Sequence, residues 1–526
     1  MKNQSSCSES VPDSTDRQGA ALFDIGEFRP DQIPPPEVLP PGTPRLRWAN
    51  RRQIEFRACA WNDLLPDDHQ ARVVWQFVEG LDVSPLLERI QSVVGEAGRS
   101  AIDPRILTAL WLYATLRGVG SARELDRRCD EKGEVPFQWI CGGVSVNYHT
   151  LSDFRTQHAE WLDGVLTRSV AALLEQELVD MDRVAQDGMR VRASAGASSF
   201  RRKPTLEECL ADAEAQVEAL KTELETDPAA ANRREQAARK RAAEERRDRV
   251  KAALERIPAA EAKKKKDEQD QARVSTSDPE ATVMKMGDGG FRPAFNVQFA
   301  TDTNTQVITG VEVTNCGSDQ GEMLPMVEQH QERYDQVPGE YLVDGGFAKK
   351  DDIEQLDPDP DDETSAGTTV YAPVPKPKQE TRDRHQPRVG DSPKIAAWRT
   401  RMGTDEAKQI YKERAATAEC VNAIARNRGL RQFNVRGLVK AKAVILWYVI
   451  AHNLMRAVAL RRTRKSVLKE NVEGNCAFFD LVSTAHSSPE SPESGDATKN
   501  ERQEATIQRT HRSRIQESES RCCRQS

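Results

Sequence analysis

The stretch that decides the fold is residues 184–196, VAQDGMRVRASAG, where the hydrophobic pattern takes a period of two. Met189, Val191 and Ala193 alternate with polar residues, which is typical of a β-strand. The alternation returns at residues 293–314, PAFNVQFATDTNTQVITGVEVT, in two runs separated by the turn sequence TDTN. The sequence therefore predicts one strand followed, after an interruption, by a hairpin.

Helical patterns lie on both sides of these strands. Between about residues 64 and 174, apolar residues recur at the three- and four-residue spacing of amphipathic helices. Further on, short buried strands are predicted at 341–343 and 368–375, and helices at 321–334, 403–428 and 437–462. This order predicts a mixed α/β fold, and the order alone does not determine a function.

The same patterns divide the 526 residues into segments that differ in composition. They are predicted to be a disordered, proline-rich segment at 1–62, a helical domain at 63–178, an α/β core at 179–204 and 274–462, a charged helical insertion at 205–273, and a disordered basic and serine-rich tail at 463–526.

Composition excludes several classes of protein. The chain has 76 basic and 83 acidic residues and a net charge of −7, so it is not a small basic DNA-binding protein. Its ten cysteines include no CxxC pair, which argues against a zinc ribbon or a disulfide scaffold and favours a cytoplasmic setting. The longest apolar run, Ala443–Ala451, is about half the length that spans a bilayer, so no membrane association is predicted.

Three acidic residues stand out by their positions. Asp187 lies within the first predicted strand, Asp344 ends a short apolar strand and is followed by two glycines, and Glu419 lies on a predicted helix. Carboxylates at strand ends and on a neighbouring helix can converge on one point. Oxygen ligands without a His or Cys cluster suit two Mg²⁺ ions about 3.5–4 Å apart, the arrangement used in phosphoryl transfer.

The second Asp-Gly-Gly-Phe sequence in the chain serves as an internal comparison. It occupies Asp288–Phe291 and follows MKMG rather than an apolar strand, so it is interpreted as a plain turn. Asp344, in contrast, follows the apolar residues Tyr341, Leu342 and Val343.

Three motifs resemble those of DDE insertion-sequence transposases, which have an RNase H-like catalytic core. VAQDGMRVRASAG is similar to the family's first-Asp strand, and YLVDGGFAKKDDI (341–353) is similar to its second-Asp segment. YKERAATAECVNAIAR (411–426) resembles the helical third motif, in which Tyr, Arg, Glu and a basic residue recur. VNYHTLSDFRTQH (146–158) looks like part of the family's N-terminal DNA-binding segment, and the resemblance spans about residues 63–462.

The resemblance implies both the fold and the catalytic residues. It implies an RNase H-like mixed sheet flanked by helices, with Asp187, Asp344 and Glu419 as the catalytic, metal-binding triad. One departure concerns the third motif: four residues separate Arg414 from Glu419, where the usual pattern has three. Glu413 is the alternative third carboxylate, although it precedes Arg414.

The implied activity is DNA transposition. The cofactor would be Mg²⁺, for which Mn²⁺ can substitute, with two ions in each active site. Cleavage at the ends of the element would free a 3′-hydroxyl, which would then attack a phosphodiester of the target DNA. The implied partners are the terminal inverted repeats, target DNA and a second copy of the chain in a homodimer, with no small-molecule cofactor. The implied location is the cytoplasm, in association with the nucleoid.

Basic residues are predicted to contact DNA. From Arg426 to Lys469 the chain has no Asp or Glu, so this segment has no acidic partner of its own, although a solvated face is the alternative interpretation. The predicted DNA-binding residues are Tyr411, Arg414, Arg426, Arg428, Arg431, Arg436, Lys440, His149 and Arg155.

Two other functions remain open at this point. The first is a metal-dependent nuclease on the same core that cuts without strand transfer. The second is an inactive, transposon-derived protein that only binds DNA or associates with itself. The insertion at 205–273 is interpreted either as an arm for dimerisation or end binding, or as a charged hairpin exposed to solvent.

Overall fold

The computed structural model describes residues 60–92, 100–130, 134–226, 233–362, 367–377 and 383–483. Its helices are α1 (Gln70–Glu79), α2 (Ser84–Leu87), α3 (Pro104–Leu116), α4 (Ala122–Asp130), α5 (Val135–Cys141), α6 (Tyr148–Gln157), α7 (Ala159–Glu175), α8 (Lys203–Thr226), α9 (Arg233–Ala262), α10 (Met323–Tyr334), α11 (Lys350–Leu356), α12 (Pro393–Gly403), α13 (Asp405–Arg414), α14 (Cys420–Asn427) and α15 (Leu438–Ser483). Its strands are β1 (Arg183–Arg192), β2 (Phe200–Arg201), β3 (Val274–Ser275), β4 (Thr282–Lys285), β5 (Phe291–Asp302), β6 (Ile308–Thr314), β7 (Glu340–Leu342) and β8 (Thr369–Tyr371).

The main sheet is mixed and follows the order β4-β5-β1-β7-β8, with β6 also paired to β5. β1 is antiparallel to β5 and parallel to β7, which is in turn parallel to β8. The long strand β5 is almost wholly buried, because it pairs with β1 and β6 over the same central residues. This sheet with helices around it confirms the predicted mixed α/β fold.

The helical part is organised around α3, whose residues from Ile106 to Thr115 are buried. Asp103 caps its first turn, and Pro104 follows at a position where a missing N–H costs nothing. The buried indole of Trp111 donates a hydrogen bond to the Leu151 carbonyl at 2.9 Å, which ties α3 to α6.

Helix α15 joins the helical part to the sheet. It packs against α3, α6, α7 and β6, and the Asn453 side chain bonds both the N–H and the carbonyl of Ile308 at the start of β6. By length and composition alone, Leu438–Arg464 could cross a membrane, but 67% of its apolar window is buried inside the protein. Core helices of this kind pass the same test, and we assign α15 to the core.

The predicted tail from residue 463 overlaps helix α15, which runs to Ser483. A helix established by its buried first half is extended at little cost. The predicted disordered segment at 1–62 (up to residue 59) and the tail from residue 484 lie outside the described residues.

The inserted segment contains two long helices, α8 and α9, that pack against each other. A small hydrophobic cluster of Leu206, Ala253, Ile257 and Val274 lies at the base of the pair, next to the two-stranded sheet of β2 and β3. The hairpin therefore has its own minor core beside the strands that flank it.

Candidate active site

Two of the predicted carboxylates lie at neighbouring positions of the sheet. In the parallel pair of β1 and β7, Ala185 is the partner of Leu342, and each strand reaches its aspartate two residues later. Since parallel strands advance together, Asp187 and Asp344 come out side by side. Asp344 also raises the pKa of Asp187 electrostatically, as expected for two nearby like charges.

The carboxylate of Asp187 is largely enclosed. Asn422 Nδ2 donates to its Oδ2 at 2.9 Å, and the Gly188 N–H donates to its Oδ1 at 3.0 Å. Burial raises the pKa of Asp187 to about 6, and the guanidinium of Arg414 acts in the opposite direction. The site therefore keeps a negative group in an environment that disfavours its charge, which is a common property of functional sites.

Glu419 is connected to this pair through Arg414. The Arg414 guanidinium lies 3.9 Å from Asp187 Oδ1 and 3.8 Å from Glu419 Oε1, so one cation stands between the two carboxylates. The Nε and Nη1 atoms of Arg414 are buried without a hydrogen-bond partner in the part of the chain that the structure describes. Glu419 is 67% exposed, and its side chain is free to change position.

The extra residue in the third motif is accommodated by a change of helix type. Ala415–Glu419 form a π-helical turn between α13 and α14. A π turn contains one more residue than an α turn and usually occurs singly, often at a functional site. The family pattern has three residues between Arg and Glu, and this chain has four between Arg414 and Glu419. The π turn accommodates the additional residue. Helix α14 then continues with Asn422 facing Asp187.

We expect the deletion of Ala416 to be tolerated. Losing one residue converts the π turn into an α turn and leaves Glu419 and Asn422 on the same side. Deleting Gln409 from α13 is the matched control, because it rotates the helix on one side of the deletion by about 100° relative to the other. The unfolding temperature and the DNA cleavage rate should stay close to wild type after the first deletion. Both should fall after the second. Equal losses in both would contradict this account of the turn.

The alternative third carboxylate, Glu413, is engaged elsewhere. Its Oε2 accepts a hydrogen bond from Arg183 at 2.6 Å, and Arg183 also pairs with Glu340 on β7. Glu413 is thus part of an ion-pair network that links α13 to the sheet, and we take Glu419 as the candidate third residue.

One acidic residue near the site was missed by the sequence analysis. Asp319, in the loop between β6 and α10, is buried, and its Oδ1 accepts from Asn296 at 2.7 Å and from Gln298 at 2.9 Å. Its Oδ2 accepts from Arg190 at 2.9 Å. Asp319 also raises the pKa of Asp187 electrostatically, and only a glycine at position 188 leaves room for Asp319, because an added Cβ there would lie 2.2 Å from its Oδ1.

Asn422 was also missed. It lies three residues after Glu419, and sequence gives no reason to single out one asparagine on an amphipathic helix. The helical spacing from Glu419 to Asn422 is the one pattern that could have indicated a common face.

The predicted DNA-binding residues fall into exposed and enclosed groups. Arg426, Arg431, Arg436, Lys440 and His149 are exposed. Tyr411 is half-buried, with the Arg414 guanidinium 5.8 Å from its ring centre. Arg428 is half-buried, and burial lowers its pKa. Arg155 is buried, with 7% of its surface exposed, and its role as a DNA contact stays a prediction.

The donor set of the site fits a hard divalent cation. Asp187, Asp344 and Glu419 offer the carboxylate oxygens that such an ion prefers. Within the described residues, however, no group of three or more His, Cys, Asp or Glu side chains is close enough to hold an ion in the conformation seen. To join the two aspartates at an ion, Glu419 would have to exchange its contact with Arg414.

Two stretches of the chain match known protein families. Residues 60–157 match the family described as "Transposase domain (DUF772)", and residues 377–458 match the "Transposase DDE domain". The second match contains Tyr411, Arg414 and Glu419, whereas Asp187 and Asp344 lie outside both matched stretches. No curated protein and no solved structure shows a significant match.

The fold, the site and these two matches are similar to those of DDE transposases. The predicted resemblance to insertion-sequence DDE transposases is confirmed, and the chain is a DNA transposase in the general sense. Proteins of this family act on DNA and generally use divalent metal ions.

Proposed function

We propose that this protein cuts DNA at the ends of an insertion element and joins the freed 3′ ends to target DNA. The observation that carries the proposal is the placement of Asp187 within β1 and of Asp344 two residues beyond its parallel neighbour β7, with Arg414 between Asp187 and Glu419.

Asp187, Asp344 and Glu419 would hold two Mg²⁺ ions, or Mn²⁺ in their place. When bound, such ions supply a reactive hydroxyl and neutralise the charge that develops on the phosphate. Asn422 and the Gly188 N–H fix the orientation of the Asp187 carboxylate. Arg414, released from its contacts with the two carboxylates, would donate to a phosphate oxygen of the DNA, for which a guanidinium is well shaped.

The exposed cations Arg426, Arg431, Arg436 and Lys440 would position the DNA backbone near the site. Contacts of this type carry no sequence information and weaken as salt rises. We further propose that two copies act together as a homodimer on the two terminal repeats, and that the protein works in the cytoplasm in association with the nucleoid.

The test is an assay that separates cutting from joining. The substrate is linear DNA that carries the sequences flanking the coding region, with a supercoiled plasmid as target and Mg²⁺ or Mn²⁺ as the ion. We expect both cut ends and joined products. Cutting without joining would favour the metal-dependent nuclease, and binding without either product would favour the inactive DNA-binding protein.

A further inference from the structure

A polar cavity of about 280 Å³ lies where the helical part meets the core, away from the three carboxylates. Its wall comes from the starts of α4 and α6 and from the segment after α14. The polar side chains that matter for its chemistry are Ser121, Arg123, His149, Asp153, Arg155 and Asn434.

Arg155 is the unusual member of this wall. The residue is 7% exposed, and its guanidinium donates to the Gly120 carbonyl at 2.6 Å and lies 4.7 Å from the ring centre of Trp111. Its Nε is buried without a hydrogen-bond partner. Burial lowers the pKa of Arg155 to about 10, and no Asp or Glu of the described residues is among the groups that shift it.

A buried guanidinium without a carboxylate is expensive, because charges removed from water are normally paired. The cation–π contact with Trp111 offsets only part of this cost. Asp153, which also lines the cavity, is exposed and forms no ion pair with Arg155. An anionic ligand entering the cavity would supply the missing partner.

The rest of the cavity wall is also suited to an anion. α4 and α6 begin at the cavity, and the positive end of a helix dipole favours negative charge, although Ser121 and Asn147 each cap one N–H group of these starts. Arg123 lies over the Tyr148 ring at 5.1 Å, and that ring stacks on His149 at 4.0 Å, so a second cation is held at the rim. Asn434 donates to the same Gly120 carbonyl as Arg155, at 3.1 Å.

We propose that this cavity binds one backbone phosphate of DNA, with Arg155 at its base and Arg123 and His149 at its rim. The inference rests on the proposed function, because DNA is the anion that such an enzyme handles. DNA is favoured over a free phosphate because Asn434 lies on the same short segment as the exposed residues Arg431 and Arg436, which can contact the neighbouring phosphates.

The experiment uses the full chain and a random-sequence DNA duplex, with affinity measured over a range of salt concentrations. Each phosphate contact contributes about 0.9 to the slope of log affinity against log salt. We expect Arg155→Gln and Arg123→Gln each to reduce this slope by about that amount. Arg168→Gln, an exposed residue of α7 outside the cavity, is the matched control and should leave it unchanged.

Several outcomes would overturn the proposal. One is an unchanged slope in folded Arg123→Gln and Arg155→Gln, and another is an equal fall in the Arg168 control. If Arg155→Gln does not fold, Arg123→Gln and His149→Ala decide. A different result would indicate a site for a free anion instead. In that case inorganic phosphate raises the unfolding temperature of the wild type, while the slope of log DNA affinity against log salt is the same in the variants and the wild type. DNA binding is measured in a buffer without divalent metal ions. A failure of this proposal can therefore be distinguished from a failure of the three carboxylates to catalyse cleavage.

Discussion

Replacing Asp187 with asparagine is expected to reduce DNA cleavage and joining by about 10⁴-fold or more, the scale on which removal of a key catalytic group acts. Asparagine has nearly the same shape as aspartate, and it can still accept a hydrogen bond from Asn422 or from the Gly188 N–H. What it lacks is the negative charge that attracts a divalent ion. Activity is measured with the end-containing DNA in Mg²⁺ and in Mn²⁺.

The same variant should not lose stability in the absence of metal, which separates a chemical defect from misfolding. The pKa of Asp187 is about 6 in the folded chain and 3.8 as its ordinary value. The folded state therefore binds more protons between these values, and stability falls as pH rises through that window. At pH 7 the cost of the buried charge is fully present in the wild type and absent in Asp187→Asn.

We therefore expect the metal-free unfolding temperature of Asp187→Asn at pH 7 to equal or exceed that of the wild type. The difference should shrink as pH is lowered from 6 toward 4, where Asp187 becomes neutral. The measurement is thermal unfolding in a chelating buffer at several pH values. A clear loss of stability at pH 7 would show that the ionised carboxylate supports the fold, contrary to this account.

Replacing Gly188 with alanine is the second change with a large expected effect. An added Cβ would lie 2.2 Å from Asp319 Oδ1, 2.7 Å from Gln298 Nε2 and 2.9 Å from Asn296 Oδ1. Gln298 Nε2 donates to Asp319 Oδ1, which also accepts from Asn296 Nδ2, so neither of the two nearest atoms can move away without straining a buried hydrogen bond. Overpacking of this kind costs about 1–3 kcal/mol, and the shift falls on the residue next to Asp187.

We expect Gly188→Ala to lower the unfolding temperature and to abolish most of the cleavage activity. Gly287→Ala is the matched control, because a Cβ at that position meets no atom within 4 Å. Thermal unfolding and the cleavage assay are run on both variants. If Gly188→Ala is as stable as the wild type, Asp319 does not occupy the space next to Gly188.

The sequence was most informative where local patterns and chemistry agree. β1 was predicted from the alternation around Met189 and Val191, and the strand does run from Arg183 to Arg192. Asp187 and Asp344 could be singled out because each lies at a strand and is followed by glycine. Their side-by-side placement could not be predicted, since it depends on the register between β1 and β7, which are separated by the insertion and the hairpin.

Other features were hidden because they depend on partners distant in sequence. Asp319 follows a polar loop with no periodicity, and only β1 and β5 give it a role. Arg155 was predicted to contact DNA, and the sequence did not reveal that the packing of α6 against α3 and α15 buries it. In the sequence, the π turn was visible only as one additional residue between Arg414 and Glu419 relative to the family pattern. The π-helical backbone of Ala415–Glu419 accommodates that residue.

The most direct test of the central claim is the binding of Mn²⁺, followed by the loss of the free-ion signal in electron paramagnetic resonance. We expect the wild type to bind Mn²⁺. We expect Asp187→Asn and Asp344→Asn each to weaken Mn²⁺ binding by at least the roughly 10–100-fold that is typical of disturbed metal sites. Glu413→Gln, at a residue paired with Arg183, should bind as the wild type does. Equal affinity in all four proteins would contradict the claim that these aspartates hold the ions.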